Sequence, residues 1–176
     1  VRRALERCPF VIVQEAYATT ATARYADLLL PATTWGEKDG TVTNSERRIS
    51  RVRAAIDAPG EARHDWRIAV DVARRIEKRR EMQRTLFPYD SAESIWNEHR
   101  ESTRGRDLDI TGLSYALLEQ SGAQQWPMPT GASIGRARLY EDGVFATPDG
   151  RARFAPAQAQ PTAEKRDAHY PFSLTT

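Results

Sequence analysis

The side chains able to do chemistry crowd into one stretch of the chain. In "ADLLLPATTWGEKDGTVTNSERRISR", residues 26–51, an apolar run stops at Pro31 and is followed by Trp35, Glu37, Lys38, Asp39, Asn44, Glu46, Arg47 and Arg48. A connection leaving a buried strand is ordinarily a few small polar residues. This one looks built to meet a ligand or a partner. Two more polar groups belong with it by position. Gln14 and Glu15 follow the apolar run "FVIV", and Asp65 opens a helical pattern after Pro59 and Gly60. Three separated segments could therefore aim polar groups into one crevice. A plainer account makes Asp65 a helix N-cap, Glu37 and Lys38 loop solvation, and Arg47 and Arg48 one charged strand face.

The elements that must position these residues are readable. Residues 10–13 form a short continuous apolar run, the pattern of a strand covered on both faces, and no helix or strand is apparent before it. Thr19 to Asp27 is Ala-rich and suits a short helix with a Thr cap. "LLLPA" reads as a second buried strand ended by Pro31. Two such strands joined by a crossover make a βαβ-like unit, whose carboxyl-end edge is where open α/β sheets hold ligands. A strong helix is expected from Asp65, with Trp66, Ile68, Ala69, Val72, Ala73 and Ile76 as its apolar face. Further helices are expected near Ala92–Arg100 and Leu113–Glu119. From about residue 126 the pattern changes, and "ARLYEDGVFATPDGRARFAPA" carries two Asp-Gly pairs between alternating segments, the signal of a β-meander. Both ends of the chain, at Val1 and at "YPFSLTT", read as cuts in something longer.

Composition narrows the classes. The 176 residues are 40% hydrophobic and 28% charged, which describes a soluble protein, and no apolar run approaches the ~20 residues needed to span a bilayer. No signal-like start is present, so a cytoplasmic location is expected. One cysteine, Cys8, excludes an internal disulfide or a multi-thiolate metal site made by this chain alone, and it is expected as a small buried hydrophobe. His64, His99 and His169 have no metal-ligand spacing, so no metal ligand is assigned. A net charge of +2 does not argue for nucleic acid. Walker, GxGxxG, HExxH and nucleophile-elbow patterns are missing.

Three ordered motifs carry a resemblance. They are T-x-TA-x-x-AD-x-x-LPA (Thr20–Ala32), W-x-EKDGT-x-TN-x-ERR (Trp35–Arg48) and PGEA-x-x-DW (Pro59–Trp66). Together they resemble the third domain of the molybdopterin oxidoreductases, most closely assimilatory nitrate reductases and next formate dehydrogenases. The resemblance implies a fragment of a Rossmann-like αβα domain over residues 1–125, with a helical extension. Residues 126–176 would then lead into a β-barrel domain. It also implies molybdenum on bis-molybdopterin guanine dinucleotide, an iron–sulfur cluster in an N-terminal part of the larger enzyme, an electron donor, and nitrate as substrate. By matching motifs, Gln14 and Glu15 resemble the pair that meets one guanine dinucleotide, Lys38 the lysine beside the pterin, and Asp65 the acid that receives the guanine edge. Glu37 and Asp39 would shape the loop. Glu46, Arg47 and Arg48 would either pair between domains or approach the cofactor. Outside that family the chain would be a non-catalytic nucleotide-binding α/β module or a structural domain that docks a partner.

Overall fold

In the computed structural model of the chain, which describes residues 1–173, a short helix α1 (Arg2–Arg7) precedes the first strand, contrary to expectation, and buries none of its residues. Cys8 follows it and is exposed rather than buried, its thiol donating to the Phe10 carbonyl at 3.3 Å. Strand β1 (Ile12–Glu15) pairs in parallel with β2 (Leu28–Pro31), in the register Val13 to Leu29 and Gln14 to Leu30. The expected βαβ-like unit is therefore present. Its crossover is a single 3-10 turn, Ala23–Tyr25, in place of the short helix, with the Ala23 amide donating to the Thr20 hydroxyl at 3.3 Å. Cover lies on one face only. Val11 and Val13 are buried while Phe10, Ile12 and Leu28 are exposed, because none of the described residues covers their side of the sheet.

Beyond β2 the chain forms a hairpin, β3 (Gly40–Thr43) against β4 (Arg48–Val52), antiparallel, with the two-residue strand β5 (Gln124–Gln125) on the outer side of β4. Helix α2 (Asp65–Arg79) begins at the expected residue. Its inward stripe differs from the expected one. Trp66, Val70, Ala73 and Glu77 recur at i, i+4, i+7 and i+11 and are buried or half-buried, and Ile68 is buried beside them, whereas Ala69, Val72 and Ile76 lie in solvent. A glutamate can occupy the inward position because its carboxylate is satisfied there. Glu77 accepts from the Thr85 hydroxyl at 2.8 Å and the Leu86 amide at 2.7 Å, which folds the following segment back on the helix.

Helices α3 (Ala92–Ser102) and α4 (Tyr115–Ser121) lie close to the expected positions. Each has a serine cap. Ser91 Oγ accepts from the Ser94 amide and Ser114 Oγ from the Leu117 amide, both at 3.1 Å. They enclose the main core, Ile49, Trp96, Ile110, Leu113, Tyr115, Leu118 and Met128, which ties β4 to both helices. Gly112 is required where it sits, since a Cβ there would meet the Met128 and Pro129 carbonyl oxygens at 2.7 and 2.6 Å.

Two compact units result, Val1–Leu139 and Tyr140–Thr176. In the second, the Asp-Gly pairs do make turns, with Gly143 and Gly150 at positive φ, but the described residues form no strands around them, so the meander is not realised there. Without partners for their amides, turn residues alone do not make a sheet. Residues 174–176 of the expected β-prone run "YPFSLTT" lie outside the described residues. The observed class is mixed α/β with small sheets. Among the described residues no helix is long and apolar enough to cross a membrane.

Leu113 is fully buried at the centre of the main core, so Leu113→Ala is expected to destabilise the protein by about 2–5 kcal/mol. Val72→Ala, on the exposed face of α2, is expected to change stability by less than about 0.5 kcal/mol. Urea unfolding of the two variants beside wild type checks the contrast.

Candidate functional site

The third segment reaches the sheet through its backbone. Ala32 and Arg63 form a parallel bridge just past β2, with the Arg63 amide donating to the Pro31 carbonyl at 3.1 Å and the Thr33 amide to the Arg63 carbonyl at 3.0 Å. On the other side of the same strand end, the Ala32 amide donates to the Glu15 carbonyl at 3.1 Å. These bonds place the start of α2 at the carboxyl edge of β1 and β2. Asp65 therefore arrives where Gln14 leaves the sheet.

There the Asp65 carboxylate joins two other segments. The Gln14 amide donates to Oδ1 at 2.7 Å, and the Lys38 ammonium donates to Oδ2 at 2.9 Å. Lys38 Nζ also stands 5.2 Å from the centre of the Trp35 ring, a cation–π distance. Asp65 is the first residue of α2 and His64 occupies the N-cap position, which excludes the N-cap account of Asp65. Partial burial pushes its carboxyl up, but the hydrogen bonds from Lys38 and Gln14 and the ammonium charge outweigh that and hold it below the usual aspartate value. The Asp65 side chain stays 52% exposed. A carboxylate has about four acceptor positions, so two remain open to a ligand.

Three of the four expected site residues thus meet: Gln14, Lys38 and Asp65. Glu15 does not join them. Its Oε1 accepts from the Ala16 amide at 2.8 Å and the Tyr17 amide at 3.4 Å, closing the turn at the end of β1.

The charged loop divides by role. Glu37 forms a capping box with Thr34, accepting from the Thr34 amide at 2.8 Å, and Asp39 faces Arg51 at 3.4 Å. Both shape the loop, as expected. The "TWGE" spacing that produces the box is itself a sequence signature. Arg47 bonds to backbone carbonyls and not to a carboxylate. With φ at +64° in the β3–β4 turn, it sends its guanidinium to the carbonyls of Trp126, Arg136 at 3.2 Å and Ala137 at 2.7 Å, and its charge sits 5.5 Å from the Trp126 ring. It is an internal clamp. Arg48 pairs with its neighbour Glu46 at 3.2 Å. Arg51, a β4 residue not singled out in the sequence, has its guanidinium 3.9 Å from the Tyr115 ring and its Nε 3.5 Å from Glu119. Among the described residues no group of three or more His, Cys, Asp or Glu is gathered to hold a metal ion.

Comparison with known proteins finds one family along this part of the chain. The molybdopterin oxidoreductase family model matches residues 1–75, which contain all four expected site residues. The likeness extends further along individual relatives. The chain is 40% identical, over its full length, to the assimilatory nitrate reductase catalytic subunit of Bacillus subtilis (strain 168), and 38% identical, also over its full length, to the F420-dependent formate dehydrogenase subunit alpha of Methanocaldococcus jannaschii. It spans about a quarter of the length of these relatives, 24% of each. Among solved structures, acetylene hydratase from Pelobacter acetylenicus aligns over 85% of this chain and 18% of its own, with a TM-score of 0.56 at 20% identity, a likeness of fold.

Because its carboxyl is held low in the folded chain, Asp65 contributes stability that is present above the unfolded-state value and is lost as pH falls through the folded-state value. The pair is partly solvated, so the contribution is expected to be under about 1 kcal/mol. Urea midpoints of wild type and Asp65→Asn at pH 7 and pH 2 are expected to differ at the higher pH and converge at the lower.

Proposed function

We propose that the chain is part of the catalytic subunit of a molybdenum-dependent nitrate reductase, an oxidoreductase of the bis-molybdopterin guanine dinucleotide type that works in the cytoplasm in nitrate assimilation. In this reading residues 1–125 are a partial Rossmann-like cofactor domain and residues 126–176 lead into the β-barrel domain. The rest of the same polypeptide supplies the iron–sulfur cluster and the metal's own ligands, and an electron-donor protein or domain feeds it. The observation that carries the reading is the junction of Gln14, Lys38 and Asp65 at the carboxyl edge of the parallel strands. The 40% identity to a nitrate reductase supports the choice of reaction.

The residues present fit a guanine dinucleotide. Asp65 is ionised, half exposed and has two acceptor positions open, which suits the N1–H and N2–H donors of guanine and rejects adenine, whose corresponding edge offers an acceptor at N1. Gln14 holds the carboxylate in orientation through Oδ1. Lys38 places a compact positive charge beside it, able to offset the negative charge of the pyrophosphate or the pterin. Glu15 stands at the same edge and fixes the turn that follows β1. When bound, the cofactor supplies the two-electron transfer that converts nitrate to nitrite. These side chains bind and orient; the reacting atoms are not theirs.

A formate dehydrogenase is the second reading, favoured by the 38% identity of a relative of that name over the whole chain. Turnover of the full-length enzyme with nitrate and a reduced dye, against formate and an oxidised dye, separates the two.

Asp65→Asn replaces an acceptor with a donor facing guanine N–H groups and is expected to cost about 1.5–3 kcal/mol of cofactor affinity. Molybdenum and guanine nucleotide content of the purified variant reads this, and wild-type content would return Asp65 to a structural role. Lys38→Ala is expected to lose most nitrate turnover at equal molybdenum loading while the melting temperature stays near wild type, since a surface ion pair contributes at most about 1 kcal/mol. Lys38→Arg should recover only part of the rate, because a guanidinium fork does not fill an ammonium-sized niche. Full turnover in Lys38→Ala would remove the lysine from the cofactor site.

A further inference from the structure

Trp35 is the large aromatic of the site, and among the described residues its ring is met by the Lys38 ammonium while most of its surface stays open. It begins the 3-10 turn Trp35–Glu37, held by the Thr34–Glu37 capping box, so its position is set by backbone and not by burial. It remains 66% exposed. An indole left this far in water forgoes the large burial that usually keeps a tryptophan in place. Its neighbours are polar. Lys38 Nζ stands 5.2 Å from the ring centre and donates to Asp65 Oδ2 at 2.9 Å, so one ammonium links the open indole to the half-open carboxylate. The indole centre and the nearer carboxylate oxygen are therefore no more than about 8 Å apart, through that one ammonium.

We propose that Trp35 is the stacking platform of this site, supporting the flat face of a guanine base while Asp65 binds its N1–H and N2–H edge. A plate and an edge-reading group fix a planar base completely: stacking sets its plane, and the paired hydrogen bonds set its rotation within that plane. Stacking is indifferent to which base is present, whereas the carboxylate is not, so the two residues divide affinity from selectivity. Lys38, between them, lies where the ligand's negative charge leaves the base. A base meets the indole face and the open carboxylate at once, and the test below separates it from a covering segment of protein.

The inference rests on the guanine reading of Asp65, and the test separates the two. The full-length protein, prepared in a host unable to make the pterin, is titrated with GDP and ADP by equilibrium dialysis, as wild type, Trp35→Phe, Trp35→Leu and Asp65→Asn. Wild type is expected to prefer GDP. Trp35→Leu, apolar but not aromatic, should weaken both nucleotides roughly five- to a hundredfold with the preference for GDP kept, and Trp35→Phe should retain most of the affinity. Asp65→Asn should lose the preference. If Trp35→Leu binds GDP as wild type does, stacking is overturned and the Asp65 reading stands; a lowered melting temperature in that variant with unchanged affinity means that Trp35 packs against protein, and overturns it equally. If wild type binds neither nucleotide, or does not distinguish them, the guanine reading falls and the inference with it.

Discussion

The carboxylate of Asp65 is the point at which three stretches of chain, distant in sequence, are held to one another. Gln14 comes from the end of a strand, Lys38 from a loop and Asp65 from the first turn of a helix, and no backbone bond joins the loop to the helix at that place. Two hydrogen bonds to a half-exposed acid would not hold this arrangement alone. The backbone does the holding. The bridge of Ala32 with Arg63 and the capping box of Thr34 with Glu37 bring the segments to within side-chain reach, and the side chains then select the geometry. The site is thus framed by backbone hydrogen bonds and half-exposed at its carboxylate.

A second constraint lies behind the loop. Arg47 accepts a left-handed backbone so that its guanidinium can take carbonyls from Trp126, Arg136 and Ala137, and Arg51 lies beneath it against Tyr115. A guanidinium has five donors in a planar fork, and orphaned carbonyls are what it serves best. Arg47 therefore ties the β3–β4 turn to the segment around residues 126–137 within the first compact unit. The anionic ligand proposed above is met by Lys38, and the arginines are committed elsewhere.

Much of the site was legible in the sequence because its residues are tied to element ends. A polar pair after an apolar run, a charged loop after Pro31 and an acid after Pro59 and Gly60 each mark where a strand stops or a helix starts. Parallel pairing brings such ends to one edge. What could not be read is of a different kind. Arg47 meets residues about eighty to ninety positions away, and no local pattern announces such a bond. The inner stripe of α2 was misassigned because Glu77, a charged residue, holds an inward place that only its bonds to Thr85 and Leu86 make tolerable. The crossover helix expected over Thr19–Asp27 shrank to one 3-10 turn, since so short a segment has little helical stability to set against the span it must cross.

The exposed apolar side chains follow from the same contrast between pattern and cover. Phe10, Ile12 and Leu28 belong to runs that read as strands buried on both faces, and Val72 and Ile76 to a stripe that reads as a helix core, yet all five stand in solvent. Burying such side chains stabilises a fold by about 1.5–3 kcal/mol each, so a sequence that repeats them on a second face of a sheet and a second face of a helix is patterned for a larger body than 176 residues provide. The relatives are about four times as long. Those apolar faces are the places where further protein could pack, whereas the edge carrying Gln14, Lys38 and Asp65 is polar and its carboxylate half-exposed.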